Sequence, residues 1–176
     1  MTSAIKTCND NKVYLAQFFR VISQENSADI YQAAKDSDYY IGAVHEDEPA
    51  NGEELVNILL NKGDRNIGLI GWEQGDATWL GRWEGYKAGV DKWNEEHPDD
   101  QAKLSEPQYA GTTSEGGSKA AEALMAADPN LDALIPAGGG GDPLQGAIAA
   151  VERAGKTADI DVVSTDFLPD LGDRLE

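Results

Sequence analysis

The sequence has 176 residues, of which 40% are hydrophobic, and a formal net charge of −18 at pH 7. This length suits one well-packed domain, and the acidity argues against nucleic acid or an anionic membrane surface as a direct partner, because both are negatively charged. The single cysteine, Cys8, excludes an intramolecular disulfide and a cysteine-rich zinc site. No apolar run approaches the roughly 18 residues of a membrane span. The start MTSAIKTCNDNK lacks the apolar centre of a signal peptide, so we expect a cytoplasmic protein or one whose export signal has been removed.

Short apolar runs and helix-length segments alternate along most of the chain. Residues 1–38 fit no regular pattern, although KVYLAQFF (12–19) has the composition of a strand. Beyond them, buried parallel strands are predicted at 39–44, 66–72, 131–137 and 160–167. Helices are predicted at 49–63, 78–98, 114–129 and 142–156. The alternation predicts an α/β fold, a three-layer, Rossmann-like open parallel sheet with helices on both faces.

The helical segments carry end signals and apolar stripes. In the segment 49–63, Glu48 is predicted to cap a helix that starts at Pro49 and ends at Gly63. Each of the first two helices has a predicted apolar face. That of 49–63 consists of Leu55, Val56, Ile58 and Leu59, and that of 78–98 consists of Leu80, Trp83, Tyr86, Val90 and Trp93. In open parallel sheets, ligands bind where the strands end and the helices begin, so the loops HEDEP, EQGDATW, GGGGDP and TDFLPD are the candidate binding segments.

The stretch LIPAGGGGDPLQG (134–146) contains four consecutive glycines. A phosphate-binding P-loop needs Lys and then Ser or Thr after its last glycine, whereas Asp142 and Pro143 follow Gly141 here. Asp142 is instead a good helix N-cap, Pro143 is favoured at the first helical position, and Gly155 is a suitable helix end. We therefore interpret the glycines as a strand-to-helix turn where the backbone can come close to a ligand.

Several stretches match known family patterns in order and spacing over residues 39–176. VHEDEPANG resembles a D-N-x-x-x-G entry, and RWEGY after NIGLIGW resembles R-x-x-G-F. LDALIPAGGGGDPLQGAIAAVERAGK resembles D-A-I-x-x-x-N-D-x-x-A-x-G-A-x-x-A-L-x-x-A-G-K, and IDVVSTDFLPD resembles V-V-G-F-D-x-x-P-D. The matching residues are Asp47, Gly52, Arg82, Gly85, Tyr86, Asp142, Gly146, Ala147, Gly155, Asp166, Pro169 and Asp170. The chain thus resembles the second lobe of type I periplasmic sugar-binding proteins, the ribose- and galactose-binding group, whose fold lactose-repressor-like regulators share.

The resemblance implies a set of ligand contacts. Arg82 would reach the ligand with its guanidinium, and Asp166 would accept sugar hydroxyls. Asp142 is first a helix cap and only second a ligand residue. Gly141 stands where the family places a ligand-contacting Asn, so the ligand would be bulkier than ribose or differently oriented. Trp79 could stack on the apolar face of a sugar, because an aromatic ring offers a large flat surface.

The resemblance also implies an organisation and a function. Residues 1–38 would be a remnant of the N-terminal lobe and hinge, and residues 39–176 a C-terminal ligand-binding lobe truncated before the return crossing. The chain would then be part of an extracytoplasmic solute-binding protein, located in the periplasm or at the cell surface. It would capture a small carbohydrate-like ligand between two lobes and deliver it to the membrane permease of an ABC importer.

Two alternatives stay open beside this function. The first is the effector-binding core of a lactose-repressor-like transcription regulator. A flavodoxin-like or response-regulator-like domain is weakened because no phosphate loop follows the first strand. We expect no enzyme, because neither His45 nor His97 has a nucleophile at a recognisable spacing. We expect no cofactor and no metal, since HEDE (45–48) is typical of a solvated turn, and we consider a homodimer through KVYLAQFF, because unpaired strand edges recruit partners.

Overall fold

The computed structural model describes residues 1–18, 22–137 and 142–165. The chain forms two compact units, Met1–Asp47 and Glu48–Glu176. The boundary between them lies after Asp47, because the strand at 40–44 pairs within the first unit. The lobe boundary after residue 38 that the resemblance implies stays a prediction. No helix in the described ranges is both long and apolar enough to cross a membrane.

The first unit contains helix α1 (Thr2–Asp10), strand β1 (Leu15–Phe18), helix α2 (Gln24–Lys35) and strand β2 (Tyr40–Val44). The two strands pair in parallel, and β1 confirms the strand expected within 12–19. The prediction of a buried strand at 39–44 was wrong about burial, because Ile41 and Val44 are 66% and 72% exposed. A buried strand needs cover on both faces. Neither helix of this unit was predicted from the sequence.

The described residues of the second unit form four long helices and a set of strands, most of which are short. In chain order they are α3 (Glu48–Lys62), β3 (Asn66–Gly71), α4 (Ala77–Glu96), β4 (Lys103–Leu104), β5 (Gln108–Tyr109), α5 (Ser114–Ala127), β6 (Ala133–Pro136), α6 (Asp142–Arg153) and β7 (Asp161–Val162). In the described ranges the strands form one parallel sheet in the order β4–β3–β6–β7, and β5 also pairs with β3. This confirms the predicted open parallel sheet.

Alternation along the central strands divides the core into two layers. On β3, Ile67 and Leu69 pack with α3 and α4, whereas Ile70 packs with α5 and α6. On β6, Ile135 and Leu134 divide in the same way. Successive side chains of a strand point to opposite faces, so a strand apolar at every position requires helices on both. The three-layer arrangement predicted from the sequence is therefore confirmed.

Glycines bring the helices of each layer into close contact. A Cβ at Gly52 of α3 would collide with the carbonyl oxygen of Arg82, and one at Gly85 of α4 would collide with that of Pro49. In the other layer, a Cβ at Gly117 of α5 or at Gly146 of α6 would collide with backbone of the facing helix. The two helix pairs consequently touch backbone to backbone at these positions.

The buried faces of α3 and α4 differ from the predicted stripes. In α3 the buried side chains are Leu55, Val56, Leu59 and Leu60, while Ile58 is 48% exposed. In α4, Tyr86 and Val90 are buried as expected, but Leu80 is 39% exposed and Trp79 takes the interior position. Each of these helices packs against both the sheet and the other helix, so its buried arc is displaced from a stripe chosen by apolar periodicity alone.

Candidate functional site

The carboxyl ends of β3, β6 and β7 meet at one edge of the five-stranded sheet, which we call the carboxyl edge. Trp72 follows β3, and Ser164 and Thr165 come shortly after β7. The Ser164 hydroxyl donates a hydrogen bond of 3.2 Å to the carbonyl oxygen of Pro136 at the end of β6. This bond ties two of the strand ends together. Ligands bind at this edge in open α/β sheets, so it is the place to look for a site.

Arg82 of α4 lies in the interior at the carboxyl edge, and its predicted contact with a ligand stays a prediction. Its Nε donates to Oε2 of Glu48 at 2.6 Å, and its Nη1 donates to the Thr165 hydroxyl at 2.8 Å. The guanidinium carbon lies 5.4 Å from the centre of the Trp72 ring, within the range of a cation–π contact. The residue is only 3% exposed. Arg82 therefore connects the start of α3, the segment after β3 and the segment after β7.

Glu48 is held in place by close packing against α4 as well as by its ion pair. It is the first residue of α3, where the helix dipole favours a carboxylate. A Cβ placed on Gly81 of α4 would lie 2.9 Å from the Cβ of Glu48. Because position 81 is glycine, α3 can begin directly against α4. Glu48 was predicted only as a helix cap, and its role as the partner of Arg82 was missed.

Tyr86 lies one turn further along α4, and its side chain is completely buried. Its hydroxyl has no hydrogen-bond partner among the described residues. Burial raises the pKa of this hydroxyl, the charge of Arg82 opposes the rise and the charge of Glu48 adds to it. The hydroxyl thus feels both members of the ion pair. An unsatisfied buried hydroxyl is costly, which makes it a natural partner for a water or ligand group.

The structure does not support the predicted stacking face at Trp79. Its side chain is completely buried, packing against Gly71 and in ring contact with Trp83, Tyr86 and Tyr109. The cause is the Asp76 cap, whose carboxylate accepts from the Trp79 backbone N–H at 2.8 Å and starts α4 just before this residue. A fully buried ring offers no face to a sugar. Trp79 is a core residue.

The remaining predicted site residues come from the loops after β6 and β7. Asp142 is the first residue of α6 and is exposed, followed by buried Pro143. Gly141 and Asp166 lie outside the described residues, so their predicted roles stay predictions. Gly155 follows the end of α6 with φ +68°, as expected of a helix-terminating glycine. In the segment HEDE (45–48), for which a solvated turn was predicted, His45 is exposed and its Nδ1 lies 2.9 Å from the carbonyl oxygen of Glu46.

Three site residues were missed by the sequence reasoning: Glu48, Trp72 and Thr165. Two signals pointed to their neighbourhoods, since Glu48 belongs to the HEDEP loop and Thr165 begins the TDFLPD loop. The pairing itself had no signal, because Glu48 and Arg82 are 34 positions apart and meet only through the crossing of α3 and α4. Trp72 was assigned to the end of a strand rather than to the loop beyond it.

A separate carboxylate cluster lies at the opposite edge of the sheet, where β3, β6 and β7 begin. Asp132 accepts from the backbone N–H groups of Arg65 and Asn66 at 2.9 and 2.7 Å. Asp161 pairs with Lys62 at 2.7 Å. Half-buried Asp64 lies beside them, and burial, followed by the charge of Asp161, raises its pKa to about 7. These groups fix strand starts far along the sheet from the carboxyl edge.

Solved structures share this fold, whereas no family model and no curated protein sequence matches the chain. An ABC transporter solute-binding protein from Agrobacterium vitis with bound D-fucose matches with a TM-score of 0.71 and 18% identity, over 98% of this chain and 54% of its own. A second solute-binding protein from that organism, bound with α-D-tagatopyranose, matches with a TM-score of 0.72 and 20% identity. The match covers 99% of this chain and 55% of the solute-binding protein. The Escherichia coli transcriptional repressor ascG matches with a TM-score of 0.75 and 17% identity, and the match covers 98% of this chain and 65% of the repressor.

The chain has the fold of a type I periplasmic binding protein lobe. It spans between about half and two thirds of the length of these three structures. They comprise solute-binding proteins and a transcriptional repressor, and none of the three is described as an enzyme. At identities of 17 to 20%, the likeness establishes the fold and leaves the ligand to be argued from the site.

Proposed function

We propose that the chain binds a small carbohydrate at the carboxyl edge, as part of an extracytoplasmic solute-binding protein that delivers its ligand to the permease of an ABC importer. The observation that carries this proposal is the Arg82–Glu48–Thr165 constellation, with Trp72 beside it. Carboxylate and hydroxyl groups recognise sugar hydroxyls by hydrogen bonding, and an aromatic side chain adds an apolar contact. The two Agrobacterium vitis proteins of this fold hold D-fucose and α-D-tagatopyranose.

In this proposal the ligand lies between two lobes. Residues 39–176 would supply one wall, as the C-terminal lobe, and residues 1–38 would be a remnant of the N-terminal lobe and hinge. A single wall offers only part of the hydrogen bonds that a closed cleft would. We therefore expect this chain to bind sugar weakly, and micromolar affinity by calorimetry would contradict the two-lobe proposal.

The test is an NMR titration of the chain with D-tagatose and D-fucose at millimolar concentrations. Backbone amide signals of Trp72 and Thr165 are expected to shift with saturation. Those of Ala127 and Asp128, at the far end of α5, serve as an internal control and are expected to stay unchanged. Absence of any shift at the carboxyl edge with either sugar would contradict carbohydrate binding at this site.

A second candidate function is the effector-binding core of a lactose-repressor-like transcription regulator. It is favoured by the match to the repressor ascG, which has the highest TM-score of the three structures described and the largest covered share of the matched protein. The gene upstream of Met1 discriminates between the two functions. A helix-turn-helix domain there would support the regulator, and a signal or lipoprotein sequence would support the solute-binding protein.

Self-association through the first unit, which we considered from the sequence, also remains a proposal. Phe18 of β1 and Val44 of β2 are cross-strand neighbours and are 81% and 72% exposed. An apolar strand pair with exposed side chains favours association with another copy of the same surface. The first unit is also less acidic than the second. Charge repulsion between two copies therefore opposes association through the first unit less than it would oppose association through the second.

A further inference from the structure

The two members of the buried ion pair are not equally accessible. The Arg82 side chain is 4% exposed, whereas the Glu48 side chain is 18% exposed. A solute approaching this pair therefore meets the carboxylate first. The guanidinium, which contacts Glu48, Thr165 and the Trp72 ring, stands behind it.

The orientation of the carboxylate is fixed from two sides. Oε2 of Glu48 accepts from the Arg82 Nε at 2.6 Å, which is the short distance expected of a charge-assisted hydrogen bond. The base of the Glu48 side chain packs against Gly81 of α4, where an added Cβ would lie 2.9 Å from the Glu48 Cβ. A carboxylate has about four acceptor positions, so one bond to Arg82 leaves capacity for hydroxyl donors.

The charge of this pair restricts the class of ligand. Glu48 neutralises Arg82, and the loops that follow β3 and β6 add the exposed carboxylates Glu73 and Asp142. A carboxylate or phosphate group on the ligand would be repelled by these charges, whereas a hydroxyl group would donate to Glu48. The buried Tyr86 hydroxyl, which has no hydrogen-bond partner among the described residues, is a further group able to bond a polar ligand or a water.

We propose that Glu48 is the acceptor of ligand hydroxyls at the carboxyl edge, that Arg82 is the positioning residue behind it, and that the pair selects neutral polyols against anionic sugars. This inference rests on the proposed carbohydrate-binding function and assigns its specificity to a named carboxylate. Arg82 acts through Glu48.

The test compares a neutral probe, D-tagatose, with an anionic one, D-glucuronate, by the same NMR titration. Wild type is expected to bind D-tagatose about tenfold more tightly than D-glucuronate. Glu48→Gln is expected to lower the affinity for D-tagatose about tenfold, which is the loss typical of one charge-assisted hydrogen bond. The same variant is expected to raise the affinity for D-glucuronate, because a repelling charge has been removed. Glu53→Gln changes the net charge equally on the same helix, and it is expected to leave both affinities unchanged.

Two further variants separate positioning from folding. Glu48→Asp keeps the charge but shortens the side chain, so it is expected to lose D-tagatose affinity while still rejecting D-glucuronate. Arg82→Lys keeps the positive charge but removes the Nε bond, and it is expected to weaken D-tagatose several-fold. A merely structural role for the pair would lower the affinities for both probes alike.

The outcomes distinguish this inference from the function on which it rests. If D-tagatose shifts the wild-type signals and Glu48→Gln binds both probes as wild type does, the specificity inference is overturned and carbohydrate binding stands. Equal loss of both probes in Glu48→Gln also overturns it. If D-tagatose shifts no wild-type signal at the carboxyl edge, both proposals are overturned.

Discussion

Removing Glu48 should destabilise the chain more than removing both members of its ion pair. In Glu48→Met the Arg82 guanidinium stays in a site where its side chain is 4% exposed, without its carboxylate. Breaking a buried pair from one side costs about 3 kcal/mol, because an uncompensated charge remains in the interior. At about 2–4 °C per kcal/mol for a chain of this size, the midpoint of thermal unfolding should fall by about 6–12 °C.

The double variant Glu48→Met/Arg82→Met supplies the discriminating measurement. It leaves no buried charge, so we expect it to be more stable than Glu48→Met, and the coupling free energy of the cycle to be about 2 kcal/mol. Urea unfolding followed by tryptophan fluorescence is the suitable assay. All four tryptophans come after Glu48, so the signal reports the second unit.

The exposed pair of Glu53 and Lys92 is the matched control. Its N–O distance is 3.8 Å and its side chains are 40% and 62% exposed, so the corresponding cycle is expected to give a coupling below about 0.5 kcal/mol. A coupling between Glu48 and Arg82 no larger than this control would refute the view that the pair acts as a buried ion pair.

Three further predictions concern pH, helix packing and association. The pKa of Asp64 is raised from 3.8 to about 7, first by burial and then by Asp161, so this group costs stability as the pH rises from about 4 to 7. Since Asp64 is only half-buried, Asp64→Asn should raise the free energy of unfolding by about 1 kcal/mol over wild type at about pH 8 and leave it unchanged at about pH 4. Urea unfolding measures this, and a variant whose midpoint equals that of wild type at both pH values would contradict it. Gly85→Ala forces a Cβ into the carbonyl oxygen of Pro49 and should lower the free energy of unfolding by about 3 kcal/mol. Urea unfolding measures this change, and a loss below about 1 kcal/mol would argue against the close crossing of α3 and α4. Phe18→Ser should reduce self-association in sedimentation velocity, and a wild-type chain that stays monomeric at all concentrations would remove the homodimer proposal.

The parts of the fold with long periodic signals were predictable from the sequence. Strands β3 and β6 are apolar at nearly every position, which predicts cover on both faces, and helices α3 to α6 have recognisable end residues. The helices of the first unit were missed because their signals are weak. Helix α1 buries only Ile5, and α2 is interrupted by non-helical backbone at Ser27.

The short strands and the site depended on long-range contacts. Strands β4 and β5 have two residues each, too few for periodicity to indicate them, and their hydrogen bonds to β3 define them. Arg82 was singled out by its match to the R-x-x-G-F pattern, which follows a predicted strand. Its partner Glu48 could not be found, since the pairing depends on the crossing angle and distance of two helices. Trp79 was misassigned because local sequence does not tell which side of a helix start faces the core.

The two helix pairs of the second unit offer an internal comparison that bears on the role of the ion pair. Both pairs cross through glycines, at Gly52 and Gly85 in one layer and at Gly117 and Gly146 in the other. Among the described residues, Arg82 is the buried charged residue, so the α5–α6 crossing achieves the same backbone contact without one. Helix packing of this kind therefore does not require a buried charge, and a buried ion pair is generally no more stable than a well-packed apolar pair. The arginine and glutamate between α3 and α4 are thus not required for the helix crossing itself, and their contacts instead join α3 and α4 to the segments after β3 and β7, where the proposed binding site lies.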